Sequence, residues 1–183
     1  MLAGRYATVI AVEPDDAMRA LIDVGDVRAG SAEAIPVGDE SIDAVLAGEA
    51  FHWFEPRAAV AEVARVLRPN GVLALLWNEF SADARALPDG VIGPGSAPRR
   101  AEAETIWREL LAGTFEPLRE ARVACEAGVP RERMLDYYAS VSQVTSLPRD
   151  ERQRALERVA AALDRSSYTR RWTSELRWTR KLG

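Results

Sequence analysis

The chain has 183 residues, 48% hydrophobic and 28% charged, with a net charge of −4, a globular balance large enough for one domain with a real core. A single cysteine, Cys125, excludes an internal disulfide, and beside a single histidine, His52, it excludes a Cys/His zinc cluster; no spacing asks for any other metal. The acidic balance without a nucleic-acid motif excludes general phosphate binding, and without a membrane-length apolar run or a signal pattern the chain reads as soluble and cytoplasmic, with no membrane contact.

Thr8 to Val12 is a short β-branched strand ending at Glu13-Pro14. Asp15 is a good N-cap, and Met18, Leu21 and Ile22 follow at helical spacing, predicting a helix with an apolar stripe. A weak strand is expected near Val27–Ala29, then a loop from Gly30 to Pro36 and turn chemistry to Ser41. Ile42 and Ala44–Ala47 form a nearly continuous apolar run, which suits a parallel strand covered on both faces. The run breaks at Gly48, and His52 follows among Phe51, Trp53 and Phe54. Residues 56–67 predict a helix with Val60, Val63, Ala64 and Leu67 on one stripe, stopped by Pro69-Asn70-Gly71. Val72–Trp77 is fully apolar and predicts a buried strand, joined to the previous one by a right-handed crossover.

Residues 79–100 lose all periodicity and read as a loop or lid. A helix over roughly 102–112 turns Ile106, Trp107, Leu110 and Leu111 inward. A strand is expected over 120–127, helices over 131–141 and 149–163, each preceded by Pro, and a final antiparallel edge strand over 173–181. Lys181 is the only lysine among 24 basic residues, a bias that suggests a GC-rich bacterial genome.

Two residues stand where chemistry is done in open α/β sheets, just beyond strand carboxyl ends. Glu13 could accept both hydroxyls of a ribose; a solvated carboxylate near a helix N-terminus explains it equally well. His52 could be a general base, or a ring packed among aromatics. Gly93-Pro94-Gly95 is the only G-x-G, and it follows no strand and opens no helix. Trp77, Trp107, Tyr137 and Tyr138 could wall a pocket or fill a core.

Taken together, Val9–Met18, Gly30–Pro36, Ile42–Val45 through His52-Trp53-Phe54, and Arg65–Gly71 running into Leu73–Asn78 resemble the class I S-adenosylmethionine-dependent methyltransferases, in the small-molecule branch. The resemblance is close over residues 1 to about 80. It implies a three-layer, doubly wound, mostly parallel α/β sheet of Rossmann-like type. It also implies one domain, 1–183, with a cofactor half over 1–78 and a lid, substrate and final-strand half over 79–183. It places ribose binding on Glu13, within a segment that includes Pro14 and Met18. Adenine contacts fall on Ser31, Ala32 and Glu33, and the methionine end on Ala47, Gly48 and Ala50. His52 would be catalytic, with Trp53 and Trp77 facing a small-molecule methyl acceptor.

The family's front is not matched. Its acid lies about 20 residues beyond a glycine-rich cofactor loop, but only twelve residues precede Glu13. The implied chain is truncated, missing its first central strand and that loop. Its S-adenosylmethionine binding and activity are then expected to be lost, and unpaired strand edges expected to drive self-association. A non-catalytic relative acting through a partner chain is the alternative, and a nicotinamide enzyme using Glu13 on its ribose a third reading.

Overall fold

The computed structural model describes residues 8–23, 25–80 and 97–183. In chain order these form β1 (Ile10–Glu13), α1 (Asp16–Arg19), β2 (Asp26–Ala29), β3 (Ile42–Gly48), a 3-10 turn (Phe51–Trp53), α2 (Pro56–Val66), β4 (Leu67–Phe80), α3 (Ala97–Leu111), β5 (Arg119–Pro130), α4 (Arg131–Ser140), α5 (Ser142–Thr145), α6 (Arg149–Ala162) and β6 (Ser167–Arg180). The class is α/β, as the sequence implies. β1 and β2 pair in parallel, from Ile10 opposite Asp26 to Glu13 opposite Ala29. The other strands form a second sheet in the order β3-β4-β6-β5. Ser41 N–H donates to Val66 O, and Arg68 reaches Asp43 across the same sequence offset, so β3 and β4 run parallel. Pairing of Asn70 and Gly71 with Lys181, and of Asn78 with Ser174, makes β4 and β6 antiparallel.

The chain divides into two compact units. One holds residues 1–75, 102–119 and 177–183; the other holds 76–101 and 120–176. In the first, α2 forms where both cap and periodicity ask for it. The Glu55 carboxylate accepts from Arg57 N–H at 3.3 Å and Ala58 N–H at 2.6 Å, and Pro56 opens the first turn. The stripe of Ala59, Val60, Val63 and Val66 is buried, joined by Leu67, Leu73, Leu75, Trp107, Leu111 and Phe115.

Four expectations need correction in this unit. The helix after Glu13 keeps its cap, with Met18 N–H donating to Asp15 Oδ1 at 2.8 Å. It is only four residues long, however, and Met18 and Leu21 are exposed; of the three apolar positions Ile22 alone is half-buried. β3 has no fully buried residue, and Leu46 is 51% exposed; among the described residues β3 stands at the end of its sheet and is paired on one side only. Pro69-Asn70-Gly71 does not separate helix from strand; it lies inside β4. Asn70 takes a positive φ of 65°, yet its N–H donates to Lys181 O and Lys181 N–H donates to Gly71 O, so pairing continues through the kink. β6, expected at an edge, lies between β4 and β5.

The second unit packs α4 on α6 through Met134, Tyr138, Val159 and Leu163, with Val129, Leu135, Tyr137 and Tyr168 against them. Arg131, at the start of α4, donates to Leu163 O and Ala160 O, both at 2.8 Å, and so satisfies the carboxyl end of α6. Gly93-Pro94-Gly95 and most of the expected lid lie outside the described residues.

Candidate functional site

The site candidates that the structure brings together belong to the first unit. Glu13 closes β1, half-buried. Its Oε1 accepts from Asp15 N–H at 2.9 Å, which leaves Oε2 without a protein partner among the described residues. Val12 packs against the start of the loop after β2: a Cβ on Gly30 would meet Val12 Cγ1 at 3.1 Å and Pro36 Cδ at 2.8 Å, so only glycine lets the two segments approach. The end of β1 and the loop 30–36 therefore share one place.

That loop is fastened from beneath by α2 and its cap. Glu55 N–H donates to Glu33 Oε1 at 2.8 Å, and Ser31 Oγ accepts from Glu33 N–H. Ile35 N–H donates to Glu62 Oε1 at 2.8 Å. Arg65 is the hub: it donates to both Glu62 oxygens at 2.7 and 2.8 Å, to Ile35 O and Val37 O at 3.0 Å each, and to Asp39 at 2.6 Å. Partial burial opposes the charge on Glu33, but the Glu55 and Ser31 hydrogen bonds outweigh it and hold the carboxyl below its usual range. Hydrogen bonding from Arg65 lowers Glu62 likewise, against its own partial burial. Both stay anionic at neutral pH.

Beyond β3 the backbone is open. A Cβ on Gly48 would meet nothing within 4 Å, and Glu49 takes a positive φ of 53°. Ala47 and Ala50 are half-buried on either side. The 3-10 turn then buries Phe51 against Trp107, ring centroids 3.5 Å apart, and holds Phe54 edge-on to Phe51 at 5.7 Å. His52 is 6% exposed, its ring 5.0 Å from that of Trp53, which is half exposed. The bond from Glu55 to Glu33 ties this aromatic turn to the Ser31–Pro36 loop.

Glu33 is thus a strut between two loops, its carboxylate already engaged by backbone. Pro14 and Met18 are exposed beside Glu13. Trp77 is buried on β4, in the second unit. Sequence reasoning missed Glu55, Glu62 and Arg65. The signal available was Glu62 and Arg65 three apart on the polar flank of the helix, which is also how a solvated pair looks. Among the described residues, no group of three or more His, Cys, Asp or Glu side chains could hold a metal ion, and no helix is long and apolar enough to cross a membrane.

Comparison with known proteins gives this arrangement a family. Residues 1–75 match the family described as "Methyltransferase domain". An uncharacterized methyltransferase of Mycobacterium tuberculosis is 35% identical over 169 residues, covering 88% of this chain and 67% of the relative. A Methylococcus capsulatus protein named malonyl-[acyl-carrier protein] O-methyltransferase is 35% identical over 104 residues, 55% of this chain and 38% of that one. A solved structure from Anaeromyxobacter dehalogenans, assigned as a type II methyltransferase, superposes with a TM-score of 0.64 at 25% identity, over 99% of this chain and 83% of the other. With its α/β fold and the loop ends gathered beyond β1, β2 and β3, the chain belongs to the class I S-adenosylmethionine-dependent methyltransferases.

Proposed function

We propose that the first unit holds S-adenosylmethionine along the loop ends after β1, β2 and β3, for methyl transfer to a small-molecule acceptor. The observation that carries this reading is the fastening of the Ser31–Pro36 loop to α2 and to the aromatic turn, which fixes three loop ends before any ligand arrives. Glu13 offers Oε2 to the ribose. Ser31 and Ala32 line the adenine, with Glu33 holding their loop in place. Ala47, Gly48 and Ala50 leave room for the methionine end. The cofactor, when bound, supplies an electrophilic methyl group. The residues present supply position, and a ring nitrogen of His52 accepts a proton where the acceptor must lose one. Trp53, half exposed beside His52, would meet the acceptor. The malonyl group in the name of the Methylococcus relative makes a small oxygen nucleophile the acceptor class we favour.

Among the described residues no glycine-rich loop leads from a strand into a helix. Donors to the methionine end are correspondingly fewer. Two charge-assisted hydrogen bonds less, at about 1.5–3 kcal/mol each, turn a micromolar ligand into a roughly millimolar one. This 183-residue chain is therefore proposed to bind the cofactor weakly and to turn over poorly. β1 and β3 belong to different sheets and each has an unpaired edge among the described residues, an arrangement that favours self-association. Saturation-transfer NMR with S-adenosylhomocysteine at millimolar concentration tests the cofactor reading. Adenine and ribose protons are expected to show saturation in the parent chain, and the ribose signals are expected to vanish in Glu13→Ala. Equal signals from both chains would remove Glu13 from the site.

A further inference from the structure

We infer that the second unit carries a recognition site for a small-molecule carboxylate, centred on Arg170. Its guanidinium carbon lies 3.8 Å from the ring centroid of Tyr137 and 4.1 Å from that of Phe80. The two ring centroids are 6.0 Å apart, with planes inclined at 57°. These distances put the guanidinium in the corner between the rings. Trp172, two residues along the same strand, extends the wall, its ring 6.1 Å from Phe80. The wall is braced: Trp172 Nε1–H donates to Ser174 Oγ at 3.2 Å, and Ser174 Oγ–H donates to Asn78 Oδ1 at 2.7 Å. Tyr137 packs edge-on to Tyr138 in the core of this unit, centroids 5.2 Å apart.

Arg171, the neighbour of Arg170 in β6, and Arg122 of β5 each have an acid. Arg171 pairs with Glu126 and Arg122 with Glu175, both at 2.6 Å. Arg170 pairs with no carboxylate and donates to no carbonyl among the described residues. A half-buried guanidinium in this state is unusual, because its five N–H donors are costly to leave unmet. Its carbon lies over both rings, and a guanidinium stacked on aromatic faces keeps its edge donors for a ligand. That geometry matches a carboxylate, which accepts two parallel N–H bonds in the guanidinium plane. Aromatic walls strengthen such a pair by keeping water back, and suit a ligand with a short apolar stem. With one planar guanidinium among the described residues of this corner, a planar carboxylate that meets its fork is favoured over a tetrahedral phosphate. This site stands apart from the methyl-transfer reading and does not depend on it.

Calorimetric titration of the whole 183-residue chain with sodium malonate, at fixed ionic strength and without cofactor, tests it. Saturable millimolar binding is expected. It should weaken about tenfold or more in Arg170→Gln, the loss of one or two charge-assisted bonds. Arg170→Lys should weaken it nearly as far, since a point charge lacks the fork. Arg171→Gln, which removes the same charge from the neighbouring position, should leave it unchanged. Neutral malonamide should not bind, and inorganic phosphate should bind more weakly than malonate. Should the Arg170 variants lose their fold, the Arg170 Nε–H resonance of the parent chain carries the test, since it must shift on addition of malonate. No binding by the parent, equal affinity in Arg170→Lys, equal response to malonamide, tighter binding of phosphate or an unmoved Nε–H resonance would each overturn the assignment.

Discussion

Arg65→Met is the sharpest test of how the loop after β2 is held. The substitution keeps the aliphatic stem and removes five hydrogen bonds. The contact with Asp39 is exposed and contributes close to nothing. The two carbonyl bonds, to Ile35 and Val37, are worth about 1 kcal/mol each. The pair with Glu62 is partly shielded, the Glu62 side chain being 15% exposed, and adds about 1–2 kcal/mol after discounting Arg65's own exposure. These terms share one group and do not add fully, so the expected loss is about 2–3 kcal/mol. For a chain of this size that lowers the melting temperature by roughly 5–10 °C. Urea unfolding measures the loss, and hydrogen exchange locates it. The Ile35 amide, which donates to Glu62, should exchange faster, while amides in α4 and α6 should not change. Arg65→Lys should recover less than half, since an ammonium cannot span Glu62 and two carbonyls together. A loss below about 0.5 kcal/mol, or an unchanged Ile35 amide, would refute the hub.

Three further outcomes follow from the first unit. Glu33, Glu62 and Glu104 all have carboxyl pKa values lowered by folding; their contribution is complete above the unfolded value, about 4.3, and is lost as pH falls through the folded values. Acid unfolding should therefore steepen below about pH 4, and Glu62→Gln should flatten the curve there; an unaltered curve would contradict the assignment. Trp107→Ala should cost about 3–5 kcal/mol by emptying the space against Phe51, and a loss below 1 kcal/mol would show the ring is not core. Gly25→Ala should lose at least about 1–3 kcal/mol and loosen the amides of β1 and β2, because Gly25 has φ +56° and a Cβ there would stand 2.1 Å from Val9 O; unchanged exchange in β2 would contradict that placement.

The helix α2 and the core of β4 are legible in the sequence because their signals are local: Pro56, apolar residues at helical spacing, and an unbroken run from Val72 to Trp77. Periodicity misleads at Met18 and Leu21, since spacing reports which face is apolar and not whether anything lies against it. Strand order is not a local property either. Nothing within residues 167–180 tells that another strand will pair outside them, so β6 reads as an edge. The candidate site splits in the same way. Glu13 and His52 are read as candidates from their positions at strand ends, and Ser31 from the resemblance. The groups that hold those ends still are not, because Arg65 reaches residues 26 to 30 positions away, and Glu33 reaches Glu55 across 22.

The central claim is that the loop ends after β1, β2 and β3 are the cofactor site. A backbone amide NMR titration of the 183-residue chain with S-adenosylhomocysteine tests it most directly. The predicted result is a set of fast-exchange shifts confined to residues near Glu13, Ser31–Glu33 and Ala47–Ala50, with a dissociation constant of roughly a millimolar. Shifts centred elsewhere, or none at these positions at saturating ligand, would contradict the site. Micromolar binding would contradict the weak affinity drawn from these residues alone.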